Sequence, residues 1–162
     1  MKGAAERIDR DALLSALVLA PTTFARNRFF ALYTEPWARR TRSRAAQLRT
    51  IVRHLAAESP RAELREVLPL ANGGAIVRYA VPDLHFERTA IVDALELAVV
   101  RFALARRPRA AGDALDPRIA VTDEDRRSVE RALAKLSEKL GIASVSDLSK
   151  SSLPPPPTTG DS

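Results

Sequence analysis

The sequence predicts an α+β fold, mainly helical, with about five helices and a two- to three-stranded antiparallel hairpin or meander at roughly 64–91. Three observations carry this. Apolar residues recur at helical spacing on both sides of the middle of the chain. Around Asn72-Gly73-Gly74 the period shortens and β-branched residues cluster, as in a hairpin. Capping residues and prolines or glycines punctuate the helical segments where helices start and stop. At 162 residues the chain is long enough to bury one substantial core. A single globular domain over 1–142 is expected: a basic helical part at 9–61, a β meander at 63–92, and helices at 93–107 and 122–140. The Pro/Ser-rich stretch 143–162 lacks the apolar residues to pack and is expected to be a disordered tail. Its proline run, 154–157, suits polyproline II.

The first helix is expected at 9–20, with Leu13, Leu14, Leu17 and Val18 on one face and Pro21 ending it. Thr22 or Thr23 can cap a second helix, 24–34, whose stripe is Ala25, Phe29, Leu32 and Tyr33. Pro36 suits the first turn of a longer helix, 36–58. At 100° per residue its core stripe is Trp37, Leu48, Ile51, Val52 and Leu55. Next comes the meander, in which Leu84, Phe86 and Arg88 alternate with Asp83, His85 and Glu87 as in a strand with one wet face. Asp93, with Glu96 three residues on, predicts a capping box for a helix at 93–107. ALELAVVRFALA is apolar nearly all round, so this helix is expected at the centre of the core. Thr122 caps the last helix and Asp123, Glu124 and Asp125 complement its dipole. Within it Val129, Leu133, Leu136 and Leu140 form a narrow seam that packs on the core or meets a partner helix.

Charge is the second message. Of 26 basic residues 22 are arginine. From Phe24 to Arg61 nine arginines face only Glu35 and Glu58, a net of +7, while the whole chain carries +6, so the remainder is near −1. An excess this concentrated points to an acidic partner. The stretch FARNRFFALYTEPWARRTRSR holds five of the eight aromatic residues, which raises the question of a base-stacking platform. Helical arithmetic sends Trp37 and most of the rings to the core. It gathers Arg39, Arg42, Arg49 and Arg53 on the opposite side of the third helix, spread over roughly 20 Å at 1.5 Å per residue. Guanidinium groups so arranged can reach several phosphates. The competing reading is a solvated helix face in an arginine-rich chain. Arg40 and Arg44, beside the apolar stripe, are expected to be half-buried and paired to carboxylates.

Other functions find little support. There is no cysteine, which removes disulfides and thiolate chemistry. Asp83, His85 and Glu87 at period two are nearly 7 Å apart, awkward for one metal ion. Asn72-Gly73-Gly74 lacks the lysine of a phosphate loop, and neither Gly-x-Ser-x-Gly nor His-Glu-x-x-His occurs. No catalytic residue, metal or cofactor is expected. The segment ALLSALVLA resembles a secretory core, but Lys2, Arg7 and Arg10 before it are balanced by Glu6, Asp9 and Asp11. No apolar run reaches membrane-spanning length. The expectation is a cytoplasmic protein without a membrane partner.

The order helix, helix, long basic helix, hairpin, helices resembles that of winged-helix DNA-binding modules, a likeness of element order with no residue motif behind it. It implies a third helix in the major groove and the hairpin as wing. The expected function is therefore a small, basic, non-enzymatic binding module for an anionic polymer, DNA before RNA. Its contacts would come from Arg39, Arg42, Arg49 and Arg53, with Arg26, Arg28 and the wing-like Arg78 adding to them. The alternative is a protein–protein adaptor or regulatory subunit that docks an acidic protein through the basic face. It could instead form a homodimer through Val129, Leu133, Leu136 and Leu140.

Overall fold

The computed structural model describes residues 2–20, 23–56, 62–81, 85–107 and 116–140, without the side chains of 2–7, 24, 139 and 140. Helices α1 (Lys2–Leu19), α2 (Thr23–Phe30) and α3 (Pro36–Ala56) precede strands β1 (Glu63–Pro69), β2 (Ala75–Val81) and β3 (Phe86–Val92). Helix α4 (Ala94–Ala105), a 3-10 turn (Pro117–Ile119) and α5 (Asp123–Leu140) complete the order. The fold is the mainly helical α+β arrangement that the sequence predicts. The stretch 143–162 lies outside the described residues.

Helix α1 lies at the centre, against α2, α3, α4 and α5. Every residue from Ala12 to Ala20 is buried, with Ser15 the one polar side chain among them. Helix α4, to which the sequence assigns the centre, touches α1, α3, α5 and β3, so the two helices share it. Both starts of the later helices follow their local chemistry. The Asp93 carboxylate accepts from the Glu96 amide at 2.8 Å, and Glu96 Oε1 accepts from the Asp93 amide at 2.9 Å. Thr122 Oγ1 accepts from the Asp125 amide at 3.0 Å, and Asp125 Oδ2 accepts from the Thr122 amide at 3.0 Å. Each reciprocal cap satisfies two amides that the first helical turn would leave open.

The sheet has the order β1-β2-β3, antiparallel throughout. Asn72 Oδ1 accepts from the Gly74 amide at 2.9 Å, and Gly73 takes φ +89°, where a side chain would be strained. Gly74 is required for a different reason. A Cβ there would lie 2.2 Å from the Val92 carbonyl oxygen and 3.0 Å from Asp93 Cα. Neither atom can swing aside as a side chain would. Gly74→Ala is therefore expected to destabilise by about 2 kcal/mol, in the range of core overpacking, read as a lower urea midpoint at unchanged slope.

Several boundaries differ from the sequence reading. The third strand begins at Phe86, not near 83, because His85 turns with φ +52°. His85 therefore lies outside the strand that holds Glu87, and 82–84 lie outside the described residues. Leu32 is 40% exposed, since α2 ends at Phe30 and the helical stripe stops with it. The buried line of α3 runs through Ala38, Thr41, Ala45, Leu48, Ile51 and Val52, displaced toward Ala38 and Ala45. Trp37 is left half-buried, its ring edge-on to Tyr33 with centroids 5.4 Å apart.

The α5 seam is core. Val129, Leu133 and Leu136 are fully buried where α5 packs on α1 and α4. These residues are already covered within one chain and have no face left for a partner helix. The Leu140 side chain lies outside the described residues.

Candidate anion-binding site

The arginines of α3 divide according to their distance from the buried line. Arg39, Arg42 and Arg53 are exposed, while Arg49 is half-buried, with Nη1 donating to the Leu17 carbonyl at 3.0 Å. Arg42 lies over the Phe30 ring, 4.7 Å from its centroid, a cation–π contact that fixes the guanidinium against α2. The Arg53 guanidinium approaches Thr50 Oγ1 at 3.5 Å. Arg26, from α2, donates to Thr23 Oγ1 at 2.8 Å.

Arg26, Arg49 and Arg53 meet at a cavity of about 390 Å³, which the end of α4 completes with Arg106 and Arg107. The rest of the lining is apolar: Val18, Leu19, Ala20, Val52 and Ala103. Five arginines converge on an apolar floor, and no carboxylate is among the described lining residues. The electrostatic consequence shows at Arg49. Burial and the positive charges of Arg26, Arg42 and Arg53 hold its guanidinium below the ordinary arginine value. Burial does the same at Arg106. Like charges held together in a partly dry concavity favour whatever anion enters it.

Not every expected residue joins this site. Arg39 lies farther out along α3, exposed and not among the residues lining the cavity. Arg28 is half-buried in the last turn of α2, away from the lining. Arg78 belongs elsewhere. It stands on the face of β2 opposite Tyr79 and lies 3.9 Å from Glu66 and 3.5 Å from Glu87. These two carboxylates flank it from β1 and β3 and offset its charge, so the hairpin is not a basic wing. Arg106 and Arg107 escaped the sequence reading. Their one signal is an Arg-Arg pair directly after the apolar helix, which reads first as a complement to its C-terminal dipole.

A larger cavity, about 970 Å³, opens at the other end of α4, and its charges are largely satisfied internally. Glu96 accepts from Arg10 at 2.6 Å and from Arg44 Nε at 2.7 Å, and Arg10 also pairs with Asp93 at 3.0 Å. Arg44 behaves as expected, half-buried and ion-paired, whereas Arg40 is exposed. Burial alone would raise the Glu96 pKa. Hydrogen bonds from Arg44 and the Asp93 backbone, with the charges of Arg44 and Arg10, outweigh it and hold the carboxyl below its ordinary value. This network joins α1, α3 and α4 and is structural.

Beyond Arg53, His54 Nδ1 and the Tyr79 hydroxyl share a hydrogen bond of 2.8 Å, and the imidazole meets the Phe86 ring edge-on at 5.9 Å. Burial, then the charges of Arg88 on β3 and Arg53 on α3, lower the His54 pKa below 6.5. The unfolded chain therefore takes up this proton first as pH falls through 6.5, and the folded state loses stability relative to it. Between pH 7.5 and pH 5 the denaturation midpoint of the wild type should fall further than that of His54→Gln. Equal falls would show that the imidazole does not contribute.

Among the described residues no helix is long and apolar enough to cross a membrane. None of their His, Asp and Glu side chains groups in threes that could hold a metal ion. Comparison with protein-family models, with curated proteins and with solved structures finds no match.

Proposed function

We propose that this protein is a binding module for an anionic polymer, DNA first, and that α3 and the cavity at its C-terminal half form the contact surface. The observation that carries this is the convergence of Arg26 from α2, Arg49 and Arg53 from α3, and Arg106 and Arg107 just past α4, with no carboxylate among the described lining residues. An arginine face that was merely solvated would gain nothing from gathering five cations around an apolar floor. Arg42 and Arg39 continue the positive surface along α3 for roughly 20 Å. That length spans about six phosphates of one strand at 3.4 Å per step. Nothing in this geometry reads base edges, so the contacts are phosphate contacts and position the protein without specifying sequence.

The test is fluorescence anisotropy of the full chain against duplex DNA, single-stranded DNA and RNA from about 50 to 200 mM salt, where counterion release makes phosphate binding steep. Steep, saturable binding supports the reading, and the preferred polymer refines it. No binding at the low-salt end rejects it. The same face would then suit an acidic protein, the adaptor reading, for which a complex of defined stoichiometry that survives nuclease treatment is the signature.

A further inference from the structure

The cavity differs in kind from the rest of the basic face. It is concave and about 390 Å³, within the range of small-molecule sites. A backbone phosphodiester brings one negative charge and is tied to a sugar on both sides, so it offers the clustered guanidiniums little charge and only two unesterified oxygens. A phosphate monoester carries between about 1.5 and 2 negative charges at neutral pH and three acceptor oxygens, which offsets five guanidiniums better. The organic group of such an ester can lie on the apolar floor.

Two of the arginines are also braced. Arg49 is held by the Leu17 carbonyl at 3.0 Å and Arg26 by Thr23 Oγ1 at 2.8 Å. A guanidinium has five N–H donors, so one bracing hydrogen bond leaves others to turn toward an anion. Side chains already ordered lose less entropy on binding.

We propose that the cavity is a site for a phosphate monoester borne on a planar or apolar group, a nucleoside 5′-monophosphate either free or at the 5′ end of a strand. The proposal rests on the anion-binding reading of this face and narrows it to one pocket and one chemical group. On this view internal phosphates lie along Arg39 and Arg42 while the terminal phosphate enters between Arg26, Arg49, Arg53, Arg106 and Arg107.

The experiment compares two single-stranded DNA oligonucleotides of one sequence, labelled at the 3′ end, one with a 5′-phosphate and one with a 5′-hydroxyl, with AMP as competitor. The 5′-phosphorylated strand is expected to bind at least tenfold more tightly. That preference should disappear in Arg106→Gln and in Arg107→Gln, two separate variants, the second at an exposed position. AMP displacing the phosphorylated strand identifies the free nucleotide as a ligand in its own right. AMP failing to displace a strand that shows the preference identifies the strand end. Equal, salt-steep binding of both strands overturns the monoester site and leaves the anion-binding face intact, and binding of neither overturns both. A preference unchanged in both variants also overturns the assignment to this cavity.

Discussion

Glu96→Ala should lower the stability of the folded protein by about 3–4 kcal/mol, with the urea slope unchanged. The side chain is 5% exposed and both oxygens are fully engaged. Oε2 accepts from Arg10 at 2.6 Å and Arg44 Nε at 2.7 Å, and Oε1 accepts from Arg44 Nη2 at 3.0 Å and the Asp93 amide at 2.9 Å. Removing one member of a buried charge pair costs about 3–5 kcal/mol because the other charge stays behind unpaired. Here the lower end applies, because the two guanidiniums are 27% and 28% exposed and can recruit water. Loss of half the capping box adds up to about 1 kcal/mol. Glu96→Gln keeps an acceptor for the Asp93 amide and loses the charge, so it should fall between alanine and wild type. The pH dependence has a definite sign. A carboxyl held below its ordinary 4.5 contributes stability that is present above that value and lost as pH falls through the folded one. Wild type should thus lose stability below pH 4.5 that Glu96→Gln has already lost. A destabilisation under about 1 kcal/mol on equilibrium denaturation of Glu96→Ala would show that the network is not what joins α1, α3 and α4.

The second large effect is on binding. Changing Arg49, Arg53 and Arg106 together to glutamine should lower affinity for the preferred polymer at 50 mM salt on the order of a thousandfold. That figure takes about 1.5 kcal/mol for each charged hydrogen bond lost. The slope of log affinity against log salt should flatten as well, because cationic contacts to phosphate are removed. Glutamine retains part of the stem that covers apolar surface, and the substitutions relieve repulsion among the Arg26, Arg42, Arg49 and Arg53 charges. That relief offsets loss of the Arg49 hydrogen bond to the Leu17 carbonyl, so the variant should melt near the wild-type temperature. Arg78→Ala is the control: flanked by Glu66 and Glu87, it should leave affinity and slope unaltered. A triple variant that binds as tightly as wild type with an unaltered slope would remove the cavity from the interface.

Much of the secondary structure was legible because it is written in neighbours. The 3.6-residue period of α3, the capping box at Asp93 and Glu96, the Thr122 cap and the turn at Asn72-Gly73-Gly74 all depend on residues within about four positions of one another. The strand start at Phe86 was not legible, since alternation through Asp83, His85 and Glu87 carries no sign of the left-handed His85 backbone. The seam Val129, Leu133, Leu136 shows its apolar face in sequence, yet whether that face meets α1 and α4 or another chain is a matter of packing.

Period, caps and composition are enough to specify a helical α+β chain with its positive excess between Phe24 and Arg61. Which arginines of the chain are paired with carboxylates and which gather together was decided by tertiary structure. Arg44 is paired with Glu96, 52 residues away, and Arg78 is flanked by carboxylates that the antiparallel register brings alongside it. Arg49 and Arg53 are joined by Arg106 and Arg107 only because α4 packs against α1 and α3. Helical and strand periods specify the face of each element. Charge pairing and cavity lining depend on distances between elements, which the chain acquires when its apolar faces pack together.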